Sequence, residues 1–285
     1  MSALRFEDWT RRDDPDDVHA RIFEGAVFVI RDEGVGDIVA RVRSIAEETF
    51  GIDFPQNAEN RMDAGSFKAA VKTARLSVDN DREVKALWHA VLSSRGLNLD
   101  DVFGDRLRLR IVPSHASHRG LRHQPLPAHR DSWGSGFEAQ VNWWMPLYPL
   151  SSERTMVLWP DAFSMPIANS SGEWSLEAFK TAQAKGEAYP LLPAVDAEPG
   201  PSSAVPVLAQ PGELLAFSSA HLHASRGDRS GISRFSLDTR TVRLSDIQSG
   251  AGAPNVDNAV RERQYAWFKR FSDGSGLDAA ALAGT

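Results

Sequence analysis

The chain has 285 residues, of which 42% are hydrophobic and 25% charged, with a formal net charge of −6. That is enough apolar material for a sizeable core, and the acidic balance gives no general attraction to nucleic acid or anionic membrane. There is no cysteine, which excludes disulfides, thiolate nucleophiles and Cys-ligated zinc or iron–sulfur centres. Any metal must be held by His, Asp or Glu, ligands that suit iron, manganese or zinc.

Residues 1–20 are charged and broken by Pro15, with no apolar signal core and no run long enough to span a bilayer, so the protein reads as cytoplasmic. The run 21–31, rich in Val, Ile and Phe, reads as a buried strand. Gly34 and Gly36 follow as a turn, and Asp37 is placed to cap a helix to Phe50 with Ile38, Val42, Ile45 and Ala46 on one face. Residues 52–80 read as irregular. Residues 81–95 read as a helix whose stripe of Val84, Leu87, Trp88 and Val91 packs on a sheet, stopped by Gly96.

From Arg106 the period changes from helix to strand, with Leu107, Leu109 and Ile111 alternating with arginines. A His- and Pro-rich loop, 114–128, precedes strand-like stretches at 139–148, 154–159, 205–209, 213–218 and 232–243. Residues 160–204 form a long insertion with an amphipathic helix at 175–184 and a Pro-rich stretch at 190–206, a lid or binding loop in one reading and a plain surface excursion in the other. Residues 251–255 read as a linker, 256–271 as a docking helix, and the last dozen residues as disordered. Short strands after a helical start give a β-sandwich or barrel with flanking helices. The expected division is one domain over 1–285: helices over about 1–104, a β-core over about 105–245, and a helix and tail from about 250.

The chemistry sits in two places. His129 and Asp131 are two apart, and in an extended strand such residues share a face. Further on, an apolar strand runs from Leu214 into Ser218, His221 and His223, and a return strand alternates Arg234, Ser236, Asp238 and Arg240 with Phe235, Leu237, Thr239 and Thr241. A solvent-facing outer face explains such alternation. So does a polar barrel interior that binds an anion, where the planar fork of Arg matches a carboxylate. Two His and one carboxylate on one side of an ion leave its other side open, the arrangement of Fe(II) oxygenases.

The combination of His129-Arg130-Asp131, then Leu222-His223-Ala224-Ser225, then Arg234-Phe235-Ser236 eleven positions after the distal His resembles the Fe(II)/2-oxoglutarate-dependent dioxygenases, in their phytanoyl-CoA dioxygenase-like branch. The opening strand at 24–29 is also similar to that family's. The resemblance implies a double-stranded β-helix (jelly-roll, cupin-like) core with N-terminal helices. It implies Fe(II) held by His129, Asp131 and His223, 2-oxoglutarate held by Arg234 with Ser236, and O₂-dependent hydroxylation of a small molecule with succinate and CO₂ as co-products. The carboxylate at 131 favours hydroxylation over halogenation, since related halogenases have Gly or Ala there. Strand period leaves His221 as the alternative distal ligand; the His-Ala-Ser context and the spacing to Arg234 favour His223.

Asn142 and Trp144 share a face with Gln140 and are expected to contact co-substrate or substrate if that face looks inward. Trp133 is expected to wall the pocket, and Arg108 and Arg110 face cavity or solvent. His115, His118 and His123 read as solvated or hydrogen-bonded loop residues, and His19 and His89 carry no signal. Trp159-Pro160-Asp161-Ala162 stands where the family often has Pro-Gly-Ser-His, which argues against a fatty-acyl-CoA substrate. Two other classes stay open: a non-catalytic jelly-roll binding protein, and an O₂-independent metal hydrolase or isomerase. The substrate and the oligomeric state are not legible.

Overall fold

The computed structural model describes residues 6–120, 123–200 and 203–278; the parts of the expected N-terminal segment, His-rich loop, Pro-rich stretch and tail that fall on the other positions lie outside the described residues. The fold is mixed α/β with two sheets. The strands are β1 (Phe6–Asp8), β2 (Val27–Arg31), β3 (Val102–Gly104), β4 (Arg108–Val112), β5 (Val141–Pro146), β6 (Met156–Leu158), β7 (Val205–Pro206), β8 (Glu213–Ser218), β9 (His223–Ser225), β10 (Arg234–Arg243) and β11 (Lys269–Arg270). The helices are α1 (Pro15–Phe23), α2 (Glu33–Phe50), α3 (Ala64–Asn80), α4 (Arg82–Ser93), α5 (Ser132–Ser135), α6 (Leu176–Lys185) and α7 (Leu244–Ser249).

The large sheet runs β1-β2-β8-β5-β10-β3-β11, with β4 also paired to β10, and the small one runs β7-β6-β9. An isolated antiparallel bridge between His129 and His223 extends the small sheet beyond β9. The N-terminal part is therefore not only helical: β1 and β2 are built into the large sheet, β2 antiparallel to β8.

Alternation along each strand of the large sheet sorts side chains to two sides. Phe28 and Ile30, Leu214 and Ala216, Trp143 and Met145, Phe235 and Leu237, Leu109 and Ile111 join one core with α2, α3 and α4. Trp88 of α4 meets Trp143 edge to face at 5.5 Å, and Trp9 stacks on the same indole at 5.7 Å. Burying side chains of this size contributes about 1.5–3 kcal/mol each, which fixes the register of β5 and β10. The opposite alternation, Val27, Trp144, Leu215 and Phe217, meets Met156 and Leu158 of the small sheet. The polar residues of β10 therefore look between the sheets, not toward solvent.

Four expectations change. Residues 64–80 are helical: Asp63 caps the N-terminus by accepting from the N–H of Gly65 and Ser66, and Phe67, Ala70, Val71, Ala74 and Val78 are buried at helical spacing. Helix α2 begins at Glu33, capped by Asp32 instead of Asp37; Gly34 lies inside its first turn because a side chain there would press on Val91 at 3.1 Å. Residues 256–271 form no α-helix. Side chains compete for the backbone: Asn255 Oδ1 accepts from Asn258 N, Asn258 Oδ1 from Val260 N, and Ser171 Oγ from Ala259 N. The segment carries only a short 3₁₀ turn at Tyr265–Trp267 and β11. Finally, Leu277 in the expected tail is buried with Phe103, Phe137 and Phe268.

Candidate metal and anion site

His129 and His223 face each other across the isolated bridge, each donating its N–H to the other's carbonyl, at 2.9 and 3.0 Å. Directly opposed residues put their side chains on one face, and the two rings lie 4.2 Å apart. Asp131 does not reach them by strand alternation. Its backbone is right-handed helical and opens the short α5, so the chain turns immediately after the bridge. The turn carries its carboxylate to 3.8 Å from His129 Nε2 through one oxygen and 3.8 Å from His223 Nε2 through the other. One donor atom from each of the three residues lies within 4.8 Å of the others.

The imidazoles are oriented by the backbone. His129 Nδ1 donates to Pro127 O at 2.8 Å, and His223 Nδ1 to His221 O at 2.9 Å. With the proton on Nδ1, the Nε2 lone pair of each ring is left for a ligand on the Asp131 side. Burial, with the neighbouring His223, pushes the His129 pKa down to about 3. Burial would raise that of Asp131, but Arg240, the two His and Arg110 outweigh it and hold it down to about 2. Neutral imidazole beside ionised carboxylate is the protonation state a divalent cation requires. Donors about 2.1 Å from one ion lie at most about 4 Å apart, a limit that both 3.8 Å separations from Asp131 meet.

His221 is placed differently. It lies in the turn before β9, its Nδ1 3.2 Å from Ser218 O and its Nε2 3.2 Å from Gly25 O, with its ring on Phe163 at 4.7 Å. Both nitrogens face carbonyl oxygens and not Asp131, and the shared strand face expected for 221 and 223 does not exist because β9 starts only at His223.

A chamber of about 80 Å³ adjoins the three residues and is also lined by Asn142, Trp144, Arg234 and Arg240. Arg234 is 2% exposed. Its Nη2 donates to Ser225 Oγ at 2.9 Å, while Nε and Nη1 have no partner among the described residues. Ser236 Oγ and Asn142 Nδ2 are likewise buried without partners; Asn142 Oδ1 accepts from Gln140 Nε2 at 2.7 Å. Burial, helped by Arg110, lowers the Arg234 pKa to about 9, which leaves the guanidinium charged at neutral pH. A buried guanidinium with two idle N–H directions costs several kcal/mol unless an anion completes it, so this corner fits a carboxylate.

Arg130, between the two chelating positions, points the other way. It is 1% exposed and donates to Ala162 O at 2.7 Å, Met165 O at 2.9 Å, Ala220 O, and Asp257 Oδ2 at 3.1 Å. Asp257 also accepts from Trp133 Nε1 at 2.8 Å and Ile167 N at 3.0 Å. Trp133 is thus locked in this clamp and does not wall the chamber. The clamp ties the insertion, the turn before His223 and the 257 segment to the His129–Asp131 strand. Nothing in the pattern around Arg130 or Asp257 signals it, because its acceptors are mostly carbonyls from distant segments.

Arg108 and Arg110 face the cavity side, paired with Asp105 at 2.5 Å and Asp238 at 2.7 Å. They also line a larger groove of about 1050 Å³ that shares His129, Asp131 and Arg240 with the chamber. Its walls include Trp174, Phe179 and Leu192 of the insertion and Trp267 and Phe271 of the C-terminal segment, so the insertion builds a binding wall. A second group of donors, Glu59, His115 and His118, also lies close together, but the side chains of Glu59 and His118 are already hydrogen-bonded. Glu59 accepts from Ser114 N, His115 N and Ser233 Oγ, and His118 bonds Ser117 Oγ and Met62 O. It works as a clasp that seats the loop after β4 beside the start of β10.

No protein-family model matches the chain, and no curated protein does. Among solved structures, it is similar to the non-heme monooxygenase ThoJ in its apo form, with 15% identity over 85% of each chain and a TM-score of 0.42. EctD from S. alaskensis in its apoform aligns at 14% identity over 97% of this chain and 91% of that one, TM-score 0.43. EvdO2 from Micromonospora carbonacea var. aurantiaca complexed with 2-oxoglutarate aligns at 13% identity over 63% and 64% of the two chains, TM-score 0.39.

Proposed function

We propose that the protein is an Fe(II)/2-oxoglutarate-dependent oxygenase, one domain on a double-stranded β-helix core, that hydroxylates a small molecule. The observation that carries the reading is a pairing within one chamber. Three metal-type donors converge from one side, and a buried guanidinium with two unpartnered N–H groups lines the same cavity. The donor set alone would suit a metal hydrolase equally; the buried guanidinium beside it is what favours a carboxylate-bearing co-substrate.

In this reading His129, Asp131 and His223 hold the iron and leave its far side open for small-molecule ligands. Arg234, with Ser236, binds the distal carboxylate of 2-oxoglutarate, which orients the keto-acid end toward the iron. Asn142 offers an idle N–H to the same ligand, and Trp144 supplies an apolar wall. Ferrous iron with 2-oxoglutarate, when bound, supplies the O₂ chemistry whose products are hydroxylated substrate, succinate and CO₂. The chain's own part is to keep the His129 imidazole neutral and both rings aimed, to keep Asp131 ionised, and to seat the substrate in the larger groove.

The test is O₂-dependent release of succinate from 2-oxoglutarate by the Fe(II)-loaded protein, measured while amino-acid and natural-product candidates are screened. Turnover of any candidate that persists unchanged without O₂ or 2-oxoglutarate would overturn the proposal in favour of an O₂-independent metal enzyme.

A further inference from the structure

Among the described residues, the charged side chains lining the inner chamber are four arginines (108, 110, 234 and 240) and three aspartates (105, 131 and 238). Imidazoles acting as ligands are neutral donors, so the lining carries one surplus positive charge in a chain whose net charge is −6. A divalent cation and a dicarboxylate cancel each other, so this surplus is the same with both bound or neither.

Among the described residues Arg234 has no carboxylate partner and Arg240 pairs with both Asp105 and Asp131; once a metal takes Asp131 and a dicarboxylate takes Arg234, the surplus falls on Arg108 and Arg240. Asp238 serves Arg110 alone. Asp105 serves both Arg108, at 2.5 Å, and Arg240, at 3.3 Å, so two guanidiniums share one carboxylate. Arg240 is the one nearer the metal-type ligands, with Nη1 3.9 Å from Asp131 Oδ1. It lines both the chamber and the outer groove. Its guanidinium lies 4.6 Å from the centroid of the Trp267 ring, which holds it against the groove wall. Beyond it, exposed Lys85, Lys180 and Lys269 line the same groove from three separate elements.

We infer that Arg240 anchors the prime substrate through one negatively charged group, and that the substrate is a monoanion with an apolar or aromatic body lying along Trp267, Phe271 and the insertion. This rests on the oxygenase reading only in calling that ligand the prime substrate. Arg234 answers the co-substrate. Arg240 answers a second anion at the threshold between the two cavities, where a substrate must sit to be near the iron. Asp105, by sharing its charge, leaves Arg240 incompletely neutralised and ready for that group.

The test is a ligand-observed NMR screen of aromatic fragments matched as carboxylate, sulfonate, carboxamide and amine, on protein saturated with Ni(II) and 2-oxoglutarate. Anionic fragments should dominate the hits and weaken by about ten- to a hundredfold in Arg240→Gln, the loss expected for one charge-assisted contact. They should be partly retained in Arg240→Lys and bind more tightly in Asp105→Asn, a gain that a merely misfolded variant cannot produce. Hits spread evenly over the charge classes, no anionic hit, or anionic hits unchanged in Arg240→Gln would each overturn the inference. Repeating the screen on metal-free Arg234→Gln separates the two readings. Anionic hits that persist there and vanish in the double variant Arg234→Gln/Arg240→Gln support this inference even if the wild-type protein proves not to bind 2-oxoglutarate.

Discussion

Replacing Arg234 by Met should uncouple ligand binding from folding in opposite directions. Two N–H donor atoms of Arg234 are idle and buried, and each charge-assisted hydrogen bond to a carboxylate is worth about 1.5–3 kcal/mol. Losing both should weaken 2-oxoglutarate by about 3–6 kcal/mol, which is about 10²- to 10⁴-fold in Kd. Met is of similar length and removes a charge that the ligand-free fold buries without a counter-ion. The unliganded variant should therefore be as stable as the parent or more so, since replacing poorly compensated buried charge with apolar volume is commonly neutral or stabilising. Calorimetric titration of 2-oxoglutarate into Ni(II)-loaded protein, paired with thermal unfolding with and without 2-oxoglutarate, reads both effects. The parent should gain in Tm with ligand as mass action requires; the variant should not. A variant that binds 2-oxoglutarate like the parent, or that is destabilised by several kcal/mol without ligand, would refute the assignment of that pocket to an anion.

Other outcomes follow from the same geometry. His129→Ala and Asp131→Ala should each lose stoichiometric Fe(II) binding and turnover, by about 10²-fold or more, while circular dichroism stays native; retained metal binding in either would contradict the ligand set. His221→Gln should leave metal affinity within about threefold, because the ring faces Ser218 O, Gly25 O and Phe163 and not Asp131, yet lower stability by about 1–3 kcal/mol through the lost packing on Phe163 and a lost hydrogen bond. A large loss of metal affinity there would reopen the choice of distal ligand. Stability should also fall with acid. Burial lowers the pKa of His19 from its ordinary 6.5, against the pull of Asp246, so the unfolded chain takes up the proton first. Its contribution is complete above that ordinary value and is lost as pH falls below it. Urea unfolding of the metal-free protein between about pH 7.5 and 5.5 should show this slope, shallower in His19→Phe; an unchanged slope would exclude His19 as a source.

How far the chain could be read before folding differs by element. Runs with strong local period were legible: β2, β4, β8 and β10 lie within the stretches expected for them, and α4 and α6 begin beside the caps Asp81 and Ser175. Helix α3 was present in the chain as Asp63 and the 67-70-71-74-78 spacing, but its small alanines gave a faint stripe. The expected helix at 256–271 failed because Asn255, Asn258 and Ser171 satisfy its backbone locally, and one of those partners is distant in the chain.

The linear pattern by itself determined which donor types were available: with no cysteine, a metal triad had to come from His, Asp and Glu, with His129, Asp131 and a distal His the set singled out by the family resemblance, and Arg234 and Ser236 lay on one face of a strand. Tertiary structure alone decided which way that face looks. The other face of β10, Phe235 and Leu237, is claimed by the helical layer, and pairing of β10 with β4 and β5 leaves its arginines between the sheets. It also sets His221 and His223 in different surroundings. Strand period treats them alike, whereas His221 lies in the turn before β9 with its nitrogens facing Ser218 O and Gly25 O and its ring on Phe163, away from Asp131.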